Sequence, residues 1–229
     1  MKAARRGLIA LALSFGVCSL ALAGVEELTS KDAAGGLRAA LGQGIEKAVT
    51  HLGSPDGFLN NPKVTIPLPP ALEKADRALR MVGMGGEADN LKVAMNHAAE
   101  MAVGEAKPVF TEALHRMTLS DAKGILTGGE TAGTEYFRKA TSATLSAKFL
   151  PIVSKQTEKL QLASQYDRVA GKAAELGLVS AQDANVNQYV TAKALDGLFA
   201  TIADEERAIR KDPLGQASSL IKKVFGAIR

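Results

Sequence analysis

The sequence predicts an all-α fold: a single-domain multi-helix bundle with one short extended Pro-rich segment. Three observations predict it. Apolar residues recur at helical spacing along the chain. Clusters of Gly and Pro break that periodicity at intervals, and no linker is long enough to divide the chain. Tryptophan is absent and aromatics make up only 4% of residues, while Ala and Leu abound, which suits helices packed closely through small side chains.

The first helix is expected over Lys31 to His51, with Leu37, Leu41, Ile45 and Val49 spaced by four. Gly53-Ser54-Pro55-Asp56-Gly57 ends it. From Asn60 to Pro70 the pattern changes. Val64, Ile66 and Leu68 alternate with Thr65 and Pro67, but the prolines rule out a central strand. This stretch reads as an edge strand near 63–68 or as a polyproline-like strap over the helices. Pro70 suits a first helical turn, and the helix it opens stops at Gly83-Met84-Gly85-Gly86. The next helix, Glu87 to about Ala106, has Leu91, Ala94, Met95, Ala98 and Ala102 on one stripe. Val93 and Val103 lie on the other side, beside Asn96 and Glu100. A helix apolar on both sides is expected to be central.

Pro108 opens a short helix through Met117. Thr118-Leu119-Ser120-Asp121 resembles a capping box, and the helix it starts ends at Gly128-Gly129. Helices follow over Glu130 to Lys148 and Pro151 to about Ala174, with Gly177 as punctuation. The last long helix spans about Asp183 to Lys211 on a stripe of Leu195, Leu198, Phe199, Ile202 and Ile209. Pro213 opens a short terminal helix.

The first 23 residues read as a cleavable Sec-type signal peptide. Lys2, Arg5 and Arg6 precede an uncharged apolar run, Leu8 to Leu22, and Ala21-Leu22-Ala23 is a small-x-small cleavage site. The run is shorter than the roughly 20 residues of a spanning helix, so no transmembrane segment is expected after cleavage. The expected location is the periplasm, with residues 24–229 as one helical domain. Outer-membrane lipidation of Cys18 is the minor alternative, disfavoured by Val17 before it. Cys18 is the only cysteine, so cleavage leaves no disulfide and no thiol.

Three of the 28 basic residues and none of the 24 acidic ones precede Gly24, so the net charge falls from +4 to +1 on cleavage. Nucleic acid is not an expected partner.

Several blocks run in order through the chain: Asp56-Gly57-Phe58, Ile66-Pro67-Leu68-Pro69, Asn96 with Ala98-Ala99-Glu100, and Met117-Thr118 with Asp121-Ala122. They continue with Tyr136-Phe137-Arg138 and Thr141, Phe149-Leu150-Pro151-Ile152, Tyr189-Val190-Thr191, Ala194 to Phe199, Glu205-Glu206 and Ile209-Arg210. With these blocks the sequence resembles an exported bacterial family catalogued only as a domain of unknown function, number four-one-nine-seven. The resemblance implies export and a helical fold. It implies no activity, substrate or cofactor, and His97 and His115 stand where it calls for other residue types.

No catalytic motif is present: no Gly-x-Ser-x-Gly and no suggestive Ser/His/Asp trio. Glu112-x-x-His115 has half the pattern of a di-iron bundle, and His97-x-x-Glu100 is that pattern reversed. Both are incomplete, so no metal site and no cofactor are expected. Met81, Met84, Met95 and Met101 read as core filler rather than copper ligands. Gly83 to Gly86 lacks the Lys-Ser/Thr of a phosphate loop.

Polar residues on apolar faces are the better candidates. These are Asn96 and Glu100 on one helix, Thr134, Arg138 and Thr141 on adjoining rows of another, and Glu206 with Arg210 on the last. At about 100° per residue, Glu206 lies within roughly 40° of Leu195, Phe199 and Ile202. A carboxylate there is neutral, exposed at a helix end, or matched by a cation, which Arg210 at i+4 or Arg138 from another helix could supply. Glu205, about 100° away, is expected to be more exposed. Asn96, Glu100, Arg138, Thr141, Glu206 and Arg210 are taken as the six ligand-binding candidates in an inter-helix polar pocket; the other reading is a satisfied internal network that fixes packing register. The expected function is non-enzymatic: binding of a protein partner or a small amphipathic ligand, in an unassigned oligomeric state. The alternatives are an acid/base enzyme using Glu100 or Glu206, and a purely structural envelope component.

Overall fold

The computed structural model describes residues 30–81, 85–175 and 184–212. The expected signal peptide, Gly83 and Met84, the expected break at Gly177 and the helix expected from Pro213 lie outside the described residues. Eight helices are described: α1 (Ser30–Leu52), α2 (Pro70–Met81), α3 (Gly85–Gly104), α4 (Ala106–Arg116), α5 (Leu119–Thr127), α6 (Ala132–Thr157), α7 (Gln161–Glu175) and α8 (Val186–Lys211). No strand occurs among the described residues.

The apolar stripes turn inward as the spacing predicts. Leu37, Leu41, Ile45 and Val49 of α1 are buried, as are Leu195, Leu198, Phe199, Ile202 and Ile209 of α8. α3 and α6 each pack on α8, and α1 flanks both α3 and α8. α3 is central, as its two-sided pattern suggests. Leu91, Met95, Ala98, Ala99, Ala102 and Val103 are fully buried, although Val93 is exposed. Alanine where helices face each other lets their axes approach. The larger volume comes from phenylalanines. Phe110 of α4 meets Phe137 of α6 and Phe199 of α8 edge-to-face, at centroid separations of 5.6 and 6.0 Å, the arrangement that the ring quadrupoles favour.

The helix starts are capped by several devices. Thr118 and Asp121 make a reciprocal capping box on α5. Asn185 accepts from the Gln188 N–H at the start of α8. Asp167 of α7 accepts from the Val186 N–H at 2.8 Å and from the Asn185 amide. Burial pushes the Asp167 carboxyl up, and the Val186 bond partly offsets it.

Two expectations are corrected. No strand forms near 63–68. Pro62, Pro67, Pro69 and Pro70 remove ladder donors, and the segment instead runs as an irregular strap over α3 and α8. Gly197 of α8 permits that close approach: a Cβ there would lie 2.8 Å from Phe58 and 3.1 Å from Val64. The second correction concerns Pro151. It does not begin a new helix; α6 continues through it to Thr157. Pro151 lacks the N–H that would bond the Ala147 carbonyl, but both residues are exposed, so that carbonyl meets water and the helix survives. The break falls instead between Glu158 and Leu160.

Candidate functional site

Asn96 and Glu100 sit one turn apart on α3, fully buried and 5% exposed respectively. Both hold the strap. The Asn96 amide oxygen accepts from the Ile66 N–H at 2.8 Å, and its NH2 donates to the Ile66 carbonyl at 2.9 Å. One side chain thus gives Ile66 the pair of bonds that a neighbouring strand would give. Glu100 Oε1 accepts from the N–H groups of Phe58 (3.0 Å) and Leu59 (3.2 Å), and Oε2 from that of Asp56 (3.2 Å). Asp56 is in the left-handed region, at φ 62°. The blocks Asp56-Gly57-Phe58, Ile66-Pro67-Leu68-Pro69 and Asn96 to Glu100 therefore meet in one place.

Glu206 is 3% exposed and fully engaged. Oε1 accepts from the Gly133 N–H (2.9 Å), and Oε2 from the N–H and the hydroxyl of Thr134 (both 2.8 Å). The carboxylate therefore caps the start of α6, where free N–H groups and the helix dipole favour negative charge. Arg210 donates to it through Nε and Nη2, at 3.1 and 2.8 Å, and also to the Ile125 carbonyl. Gly133 is required by this seat: a Cβ there would lie 2.6 Å from Leu41 Cδ2 and 3.1 Å from Glu206 Oε1. Glu205, the neighbour, is 29% exposed and pairs with Lys47 at 3.5 Å.

Arg138 does not join Glu206. Its guanidinium lies 4.6 Å from the Phe199 ring centroid and 3.3 Å from Asp196, half-exposed. Thr141 is buried and donates to the Phe137 carbonyl one turn back. The six candidates thus form two pairs, Asn96 with Glu100 and Glu206 with Arg210, plus two residues outside both.

Thr141 does border an open groove of about 550 Å³ between α4 and α6. α4 contributes Pro108, Val109 and Ala113 with Glu112 and Arg116; α6 contributes Tyr136, Ala140, Thr141, Thr144 and Lys148. The Tyr136 hydroxyl donates to the Ala113 carbonyl at 3.2 Å, and burial pushes its phenol up. Arg116 pairs with Glu112 at 2.7 Å. Lys148 is exposed and takes part in no ion pair among the described residues. The sequence reading used Glu112 only as a possible metal ligand and did not find this groove. Its lining residues come from two helices with α5 between them in the chain, and nothing local marks their meeting. Met95 is core, and Met81 and Met101 are exposed apart from it.

No helix among the described residues is long and apolar enough to cross a membrane. No curated protein and no solved structure matches the chain. The model of one family, described as a protein of unknown function (DUF4197), matches residues 27–226, and the chain belongs to that family.

Proposed function

We propose that this is an exported, periplasmic, non-enzymatic protein that binds a small amphipathic anion in the groove between α4 and α6. The observation that carries this reading is the groove itself: apolar lining from Pro108, Val109, Ala113 and Ala140, with the Lys148 cation, in no ion pair among the described residues, on its border. Lining residues from Tyr136 to Lys148 span about 18 Å of helix at 1.5 Å per residue, room for a tail as well as a headgroup. Pockets that combine an apolar wall with a few polar groups suit such ligands. Of the six candidate residues, Thr141 is the one on this groove.

The reading of an acid/base enzyme has less support. Neither Glu100 nor Glu206 borders the groove; Glu206 is filled by donors from α6 and Arg210, and Glu100 faces the turn from Asp56 to Leu59 instead. A general base must reach its substrate's proton.

Displacement of a fluorescent fatty acid tests the proposal. Ala140→Trp should abolish binding by filling the groove, and Lys148→Glu should weaken it about tenfold, equivalent to about 1.4 kcal/mol. Binding unaffected by either change would overturn it. Intact mass of periplasmic protein tests export: a chain starting at Gly24 is expected, and retained Met1 contradicts it.

A further inference from the structure

We propose that Asp56, His97 and Glu100 form a binding site for a divalent cation of the zinc type. His97 Nε2 lies 3.2 Å from Asp56 Oδ1, and one ligand atom from each of the three residues lies within 4.8 Å of the others. Tetrahedral zinc bonds of about 2.0–2.2 Å to nitrogen and carboxylate oxygen place neighbouring ligand atoms about 3.3–3.6 Å apart. The His97–Asp56 pair, at 3.2 Å, is close to that spacing, and the set closes when the three ligand atoms, now within 4.8 Å of one another, draw in around the ion.

Charge favours the same conclusion. Glu100 is 5% exposed, yet no salt bridge to it occurs among the described residues. A buried carboxylate is costly without a compensating positive charge. Here a second carboxylate, Asp56, stands beside it, and the facing side chain is an imidazole. A divalent cation neutralises both acids and uses the imidazole as its third ligand. One histidine and two carboxylates suit zinc better than calcium or magnesium, which prefer all-oxygen sets.

The surroundings orient these ligands in the way metal sites require. The Asn60 amide donates to Asp56 Oδ2 at 3.2 Å, leaving Oδ1 toward His97. The Phe58 and Leu59 N–H groups hold Glu100 Oε1, leaving Oε2 with one bond, from Asp56 N, and a spare lone pair. Side chains of His97 and Asp56 are 47% and 48% exposed, so ions can enter and a fourth position opens to water. Motif spacing within helices does not display this cluster, because Asp56 lies 41 residues before His97 and reaches it only through the turn that Glu100 holds.

Isothermal titration of the full chain, stripped with chelator, against zinc chloride tests the site. One equivalent is expected. His97→Ala and Asp56→Asn are expected to weaken affinity at least about tenfold, with helical circular dichroism unchanged; Asn tolerates the left-handed conformation. His115→Ala, away from the cluster, should bind as the wild type does. No zinc binding, zinc binding unchanged in His97→Ala, or binding of calcium but not zinc would each overturn the proposal.

Discussion

Among the described residues two glutamates, Glu100 and Glu206, are buried, and they are held in different ways. Glu206 is closed: three donors from the start of α6, a guanidinium with two bonds and 3% exposure leave no room for another partner. Glu100 has three backbone N–H groups but no cation. Its neighbours are a second carboxylate and a half-exposed histidine. The first arrangement locks helices together, since Glu206 of α8 fixes the start of α6 and Arg210 reaches the end of α5. The second secures a turn and keeps unfilled coordinating capacity near the surface. Burial of a carboxylate alone therefore says little about its role; the accounting of its partners does.

The largest expected effect comes from breaking the closed cluster. Glu206→Ala removes the buried carboxylate to which Arg210 and the start of α6 donate and should cost about 3–5 kcal/mol in urea unfolding. Glu205→Ala removes a partly exposed pair with Lys47 and should cost at most about 1 kcal/mol. Equal losses would contradict the assignment. Gly133→Ala comes next, at about 1–3 kcal/mol, because the added methyl group must displace Leu41 and crowd the Glu206 carboxylate.

On the strap side, Asn96→Ala leaves the N–H and carbonyl of Ile66 without their partner. A loss of about 1–3 kcal/mol is expected, with faster proteolysis between 60 and 70 as a separate readout. Undiminished resistance to protease would show that packing on Gly197, not Asn96, secures the strap.

The smallest effect is at α5. Thr118→Ala should cost about 1 kcal/mol. The Thr118 hydroxyl and N–H hold the Asp121 carboxyl below its ordinary value. A carboxylate lowered on folding contributes stability that is present above the ordinary carboxylate value and is lost as pH falls through the lowered one. Thr118→Ala should therefore flatten the acid side of the stability–pH curve, and an unchanged slope would contradict the coupling.

What the sequence revealed was local. The capping box could be read because its four residues are contiguous. Glu206 stood out because it interrupts an apolar stripe, and Arg210 because it follows at i+4. The other half of that cluster, Gly133 and Thr134, lies more than seventy residues away, and no periodicity links the two. Asn96 and Glu100 were conspicuous on an apolar face for the same reason as Glu206, while their target, the turn from Asp56 to Leu59, could not be foreseen. Pro151 shows a local rule yielding to context: a residue that reads as a helix start sits inside α6 on its exposed side. The groove between α4 and α6 left no mark because each of its walls is an ordinary helix face.

The central claim, that one buried glutamate is closed and the other open, is tested most directly by urea unfolding of Glu206→Gln and Glu100→Gln side by side. Each change keeps the side-chain shape and removes the charge. Glu206→Gln replaces the charged acceptor of Arg210 and of the start of α6 with a neutral amide, whereas Glu100→Gln removes one of two adjacent negative charges. Glu206→Gln is expected to be the more damaging by about 1–2 kcal/mol, the difference between a charged and a neutral hydrogen-bond partner. A loss in Glu100→Gln as large as that in Glu206→Gln would contradict the account.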